Sequence, residues 1–372
     1  MGWYLSCRSD RTVSRVSHTD PMAFSGSIPI QVDGLQPLCL RAATDFIAEG
    51  TISVHINGTQ AADLVLPRFV TSLSIFGNLT PLVDWLPDWI QSLTVTSDCI
   101  GRSLTLPPKL EKLRLAYCDY EFIESVPASL RVLEVVRCEN LVSFPLLPPI
   151  MDKVRISSCL KLETLDCLSI SRVDHLSLQG LDLIDSLASL PASVGTLVIE
   201  DWHELKSFTG IGEVTDRLQI YGSYSGEGLN SLPTGVRTLY LEDYDLRDEQ
   251  IPATVKHLEL ASYRNSVILS SLPAGLESLS LRGGYYEDLV GLPEDLYRLE
   301  LWELDSLDSF AGIPPFLTHL VIKEVDGPED FPRLAYLDSV EIDRVVTVDG
   351  TEYTDGESYL TDSKSRAKSA RF

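Results

Sequence analysis

Three cysteines, Cys118, Cys138 and Cys159, recur at intervals of 20 and 21 residues and are the first candidates for chemistry. Thiolates hold zinc when they converge, usually as Cys-x2–4-Cys with a second pair nearby. No such pair occurs, so the three thiols read as a column of small, mostly apolar filler. Seven cysteines, an odd number spread over 372 residues, do not read as a disulfide framework, which fits a reducing compartment. The sequence has no G-x-S-x-G, H-E-x-x-H, G-x-x-x-x-G-K-[ST] or G-x-G-x-x-G, and no cysteine begins Cys-x-Asp. Acidic pairs such as Glu242-Asp243, Asp248-Glu249, Glu287-Asp288 and Glu329-Asp330 lack the D-x-[DN]-x-[DN]-G spacing of a calcium loop and read as a solvated face. The expectation is a chain with no enzymatic constellation and no cofactor or metal.

Positioning is set by a repeat. An apolar-x-apolar pair returns at Val54/Ile56, Leu73/Ile75, Leu93/Val95, Leu113/Leu115, Leu133/Val135, Val154/Ile156, Leu176/Leu178 and Leu197/Ile199. It continues at Leu218/Ile220, Leu239/Leu241, Leu258/Leu260, Leu279/Leu281, Leu299/Leu301, Leu320/Ile322 and Val340/Ile342, with spacings of 19 to 22. Eleven of the 21 prolines follow an apolar residue that lies seven positions before a pair, as in Leu106-Pro107 and Leu272-Pro273. Alternation at period two marks a short strand with one buried face. Proline at a constant place stops a helix from continuing. About twenty residues hold one strand, a turn and an extended return, and stacking fifteen such units lines their aliphatic columns into one core. The expected architecture is a repeat solenoid: a curved horseshoe with a parallel β-sheet on its concave face, extended or short 3-10 returns and few α-helices.

The pattern L-P-x-x-L-x-x-L-x-L resembles a leucine-rich repeat over about residues 47–345. Its short unit and repeated Leu-Pro are similar to those of bacterial secreted effectors with LPX repeats. Leu133 to Pro149 also looks like repeats of plant immune receptors, and Ile251 to Leu260 is similar to the FNIP repeats of amoebae and giant viruses, without their Phe-Asn dipeptide. The resemblance implies that the turn position of Asn78, Cys118, Cys138 and Cys159 faces inward and bonds the backbone of the turn. After Cys159 this column becomes Leu181, Trp202, Ser223, Tyr244 and Tyr263, so the later turns must pack differently.

Around this core the expected organisation is a flexible N-terminus (1–27), an N-terminal cap (28–50: a strand over 28–34, a short amphipathic helix over 35–49), and the solenoid (51–345, about 15 strands). A hairpin cap at 346–353, built on Asp349-Gly350, and a disordered tail (354–372) complete it. No apolar run reaches the roughly 18 residues of a membrane span, and the first twenty residues lack the apolar stretch of a secretory signal. Met1-Gly2-x-x-x-Ser6 fits the minimal myristoylation pattern, so Gly2 is a lipid-anchor candidate, with Cys7 and three nearby arginines as a candidate second anchor. Sequons at Asn57 and Asn78 read as coincidence in such a chain.

With 30 Lys+Arg against 54 Asp+Glu, the net charge of −24 argues against nucleic acid as a partner. The residues flanking and separating each pair point to solvent and are nearly balanced: Lys112, Arg114, Lys153, Arg155, Arg217, Arg282, Arg298 and Lys323 against Glu134, Glu200, Glu242, Glu259, Glu300, Glu341 and Asp343. His55, His175, His257 and His319 share that face but lie several repeats apart, too far to share a metal. Tyr221, Tyr240, Arg282, Arg298 and Trp302 cluster the residue types that dominate interface hot spots, and are the leading partner-binding candidates. Lys112, Arg114, Glu134, Lys153 and Arg155 form a second candidate, readable either as a contact site or as an intramolecular charge ladder. The expected function is a non-enzymatic protein-interaction scaffold in the cytoplasm, or an effector delivered into a host cell, or a recognition subunit. The alternative is a carbohydrate or cell-surface recognition protein.

Overall fold

A computed structural model describes residues 103–222, 228–244, 246, 250–261, 268–304 and 307–326. From the flanks it describes 5–6, 29–33, 53–57, 68, 71–76, 86–96, 339–342, 345–346 and 352–353. The chain groups into two compact units, Met1–Val194 and Gly195–Phe372. The helix expected over 35–49, Gly2, Asn78 and the tail at 354–372 lie outside the described residues.

In the first unit, strands Leu5–Ser6, Pro29–Asp33, Ser53–Asn57, Ser72–Phe76, Ser92–Thr96, Lys112–Ala116, Val132–Val136, Ile150–Ser157 and Arg172–Gln179 pair in that order, every pair parallel. Parallel neighbours require a crossover between strands, and here the return half of each repeat supplies it. The aliphatic pairs are in register: Val54, Leu73, Leu93, Leu113, Leu133, Val154 and Leu176 form one row across the sheet. Ile56, Ile75, Val95, Leu115, Val135, Ile156 and Leu178 form the next. From Leu73 onward both rows are almost wholly buried. A Leu or Ile so placed contributes about 1.5–3 kcal/mol relative to exposure, and a two-residue slip would move both rows out of line. On the return side Ser103–Leu104 pairs in parallel with Phe122–Ile123. Asp166–Leu168 forms one 3-10 turn.

The Leu-Pro step has a local cause. Proline biases the residue before it to extended backbone, and its own carbonyl accepts the amide three residues on: Ile90 to Pro87, Leu110 to Pro107 and Leu130 to Pro127, at 3.0–3.2 Å. The donor side chain is then fully buried, and so is most of Leu106 before the proline. The next two amides converge on one carbonyl of the preceding repeat; Glu111 and Lys112 both donate to Gln91, at 2.7 and 2.9 Å. Each strand is thus tied to its neighbour before the ladder begins.

The far ends of Lys112–Ala116, Val132–Val136 and Ile150–Ser157 close with a residue in the left-handed region, which costs an L side chain about 1–2 kcal/mol. Tyr117, Arg137 and Ser158 have φ of 57, 53 and 54°. Their amides donate to Val136, Ser157 and Gln179 of the following repeat at 2.8–3.0 Å, extending the ladder by one bond. The turn swings the next residue inward: Cys118, Cys138 and Cys159 are buried. Their thiols donate to carbonyls two residues back, Ala116, Val136 and Ser157, at 3.5–3.7 Å. Burial pushes the Cys159 thiol up to about 12. These thiols cap turns, and no group of three or more metal-ligating side chains occurs among the described residues.

The second unit repeats the scheme. Strands Glu213–Tyr221, Thr238–Glu242, His257–Ala261, Ser278–Arg282, Arg298–Leu304, His319–Asp326 and Ser339–Ile342 pair in parallel, aligning Leu218, Leu239, Leu258, Leu279, Leu299, Leu320 and Val340. Val345–Val346 pairs in parallel with Val325–Asp326 and antiparallel with Glu352–Tyr353. The left-handed turn returns at Asp201, Asp243, Glu303 and Glu324, and the residues that follow, Trp202, Tyr244, Leu304 and Val325, are buried. Large side chains therefore fill the place that thiols fill in the first unit, joined by fully buried Phe208 and Phe310. Short 3-10 turns at Gly228–Ser231 and Leu269–Ser271 lie in the returns. No helix among the described residues is long and apolar enough to cross a membrane.

Candidate partner-binding strand face

Because alternate residues of a strand point to opposite faces, burying the aliphatic rows turns the intervening residues outward. In the second unit those residues form two groups. The first stands on Glu213–Tyr221 and its neighbours. The rings of Tyr221 and Tyr240 lie 5.2 Å apart, tilted by 48°. The Arg217 guanidinium covers Tyr240 at 5.2 Å and pairs with Glu259 two strands away. The Tyr240 hydroxyl donates to Glu242. Burial, then the Glu242 hydrogen bond and charge, push the Tyr240 phenol above its ordinary range. It stays a protonated donor with a fixed direction.

The second group stands on Arg298–Leu304. Arg298, Glu300 and Trp302 alternate along one face; Arg298 pairs with Glu300 at 2.7 Å, and the Trp302 indole N–H donates to the same carboxylate at 3.2 Å. Lys323 sits 4.4 Å over the Trp302 ring and pairs with Glu341 at 3.2 Å. Arg282, in register with Trp302, pairs with Glu303 at 2.9 Å. The five leading candidates therefore fall into two clusters, Tyr221/Tyr240 and Arg282/Arg298/Trp302. Between them runs one strand, His257–Ala261, whose Glu259 is in register with Tyr240 on one side and Ser280 on the other. The holders Arg217, Glu242, Glu259, Glu300 and Lys323 were outside the candidate set. The alternation Arg298-x-Glu300-x-Trp302 was the signal that could have found Glu300.

In the first unit, Arg114, Glu134 and Arg155 share one cross-strand row, with Lys112 and Lys153 two residues before Arg114 and Arg155. Glu134 Oε2 accepts Arg114 at 2.6 Å and Oε1 accepts Lys153 at 2.7 Å. Burial opposes its ionisation, but Lys153 and then Arg114 outweigh burial and hold the carboxyl below the usual range. The charge ladder is thus real for these three residues; Arg155 takes no part in it. His175, in register with Lys153, is held below its ordinary pKa by burial and then by the Lys153 charge.

No protein-family model matches the chain, and no curated protein sequence matches it. Among solved structures, it is similar to the crystal structure of CroV588, a circular leucine-rich-repeat protein, with a TM-score of 0.53 and 17% identity over 79% of this chain. The match covers 53% of that chain, so the present chain spans about half the length of its solved relative. At that identity the fold is what is shared. The chain is a leucine-rich-repeat-like solenoid, with a parallel sheet and almost no helix among the described residues.

Proposed function

We propose that this chain is a non-enzymatic scaffold that grips a protein partner on the outward strand face of its second unit, through Tyr221, Tyr240, Arg282, Arg298 and Trp302. The observation that carries the reading is Glu300: one carboxylate holds both the Arg298 guanidinium and the Trp302 indole in place on the outside of the sheet. Side chains fixed before contact lose less entropy on binding, which is how aromatic and Arg residues become hot spots. The ion pairs add little stability where exposed, so their service is orientation. A column of buried, free thiols agrees with a reducing, intracellular setting.

The test is affinity capture from native cells, purification of the captured partner, and titration of the reconstituted pair. Alanine at Tyr240, Arg298 and Trp302 together should weaken binding at least 100-fold with the circular dichroism spectrum unchanged. Binding within threefold of wild type would place the interface elsewhere.

A further inference from the structure

The outward face of the first unit carries a charge opposite to that of the whole chain. Across the strands from Ser72–Phe76 to Arg172–Gln179, the row from Ser74 to Ser177 and the row beginning at Ser72 hold four cations, Lys112, Arg114, Lys153 and Arg155. Glu134 is the one acid in these rows, in a chain of net charge −24. Both Glu134 oxygens are engaged, by Arg114 and Lys153. Lys112 and Arg155 have no ion pair among the described residues, and the Arg155 Nε is buried with no hydrogen-bond partner. A guanidinium left without an internal acid can take a carboxylate in bidentate fashion.

We propose that this face is a receptor for an extended acidic peptide segment of a partner protein, with carboxylates at alternate positions. Lys153 and Arg155 alternate on one strand, as do Lys112 and Arg114. Residues two apart on a strand are about 6.6–6.8 Å apart. An extended peptide lying along the strands repeats its same-face side chains at that distance, so one Glu-x-Glu places a carboxylate over each cation. Arg155 is the anchor, because of the two cations that no internal acid satisfies among the described residues, Lys112 and Arg155, it alone carries a guanidinium that takes a carboxylate in bidentate fashion. A protein segment is favoured over a nucleic acid because a long polyanion must also approach the acidic remainder of the chain, whereas a short segment meets only this patch. The site lies in the first unit and shares no residue with the aromatic groups of the second.

The experiment is fluorescence anisotropy of the full chain with a fluorescein-labelled decapeptide alternating Glu and Ser, at 50 and 200 mM salt. A Gln/Ser peptide and a labelled single-stranded oligonucleotide serve as comparison probes. The Glu/Ser peptide should bind, the Gln/Ser peptide should not, and affinity should fall with salt. Arg155→Gln should weaken binding at least tenfold. Glu134→Gln, which frees Arg114 and Lys153, should tighten it severalfold, a gain that loss of folding cannot mimic. The Tyr240, Arg298 and Trp302 triple variant should bind the peptide like wild type, which separates this site from the interface proposed above. Absence of peptide binding at 50 mM salt, indifference to Arg155→Gln, weakening by Glu134→Gln, or preference for the oligonucleotide would each overturn the proposal.

Discussion

Gly312 should be among the least replaceable residues of the second unit. Its φ is +94°, and a Cβ added there would stand 2.4 Å from the Leu289 carbonyl carbon and oxygen and from the Val290 Cα. Carbon atoms prefer about 3.5–4.0 Å, so the backbone of the preceding repeat must retreat by roughly 1 Å. That retreat strains the bond from the Leu289 amide to the Ala311 carbonyl, 2.9 Å long. For Gly312→Ala, a left-handed φ costs about 1–2 kcal/mol and a weakened buried hydrogen bond about 1 kcal/mol more. The sum is about 2–3 kcal/mol. At about 2–4 °C per kcal/mol for a body of this size, Tm should drop by about 4–12 °C. The paired control is Gly235→Ala: no atom lies within 4 Å of the added Cβ. Reduced freedom of the unfolded chain should make that change neutral or stabilising by up to about 1 kcal/mol. Thermal and guanidinium melts by circular dichroism read both variants. Equal stability of the two, within about 0.5 kcal/mol, would refute the stacked-turn geometry that the reasoning uses.

Three further outcomes follow from the first unit. Leu133→Ala, at a fully buried position between Leu113 and Val154, should cost about 2–5 kcal/mol by chemical denaturation. Because Lys153 and Arg114 hold Glu134 ionised against burial, its stabilisation is complete above the ordinary glutamate pKa and is lost as pH falls through the lower folded value. Wild type should therefore lose stability between about pH 5 and 3 more steeply than Glu134→Gln, by about 1 kcal/mol at most. Cys159 and Cys167, buried and pushed up to about 12, should resist iodoacetamide at neutral pH in the folded protein and react in denaturant, as read by peptide mass spectrometry.

Much of the fold is legible in the residues because two signals coincide. Leu113-x-Leu115 alternates at the period of a strand, and Leu106-Pro107 forces the turn before it, so strand, register and crossover follow from spacing alone. The left-handed strand ends were not legible. Tyr117, Arg137 and Ser158 are not residues that favour such backbone, and only the inter-repeat hydrogen bonds explain them. The candidate sites were half legible. Alternation places Tyr240, Arg298 and Trp302 outside, yet their grouping into two clusters depends on side-chain reach across strands, which sequence does not encode. Arg155 illustrates the limit: in sequence it is equivalent to Arg114, and only the commitment of both Glu134 oxygens to other partners distinguishes it.

The most direct test of stacking is cross-strand disulfide trapping. Ser74 and Thr94 face outward, directly opposite each other on adjacent parallel strands, at the Cα separation a disulfide accepts. Ser74→Cys with Thr94→Cys should oxidise to an intramolecular crosslink in the folded protein. Ser74→Cys with Ser92→Cys, two residues out of register, should form far less. Equal yields in both pairs, or a crosslink only in the offset pair, would contradict in-register stacking of the repeats.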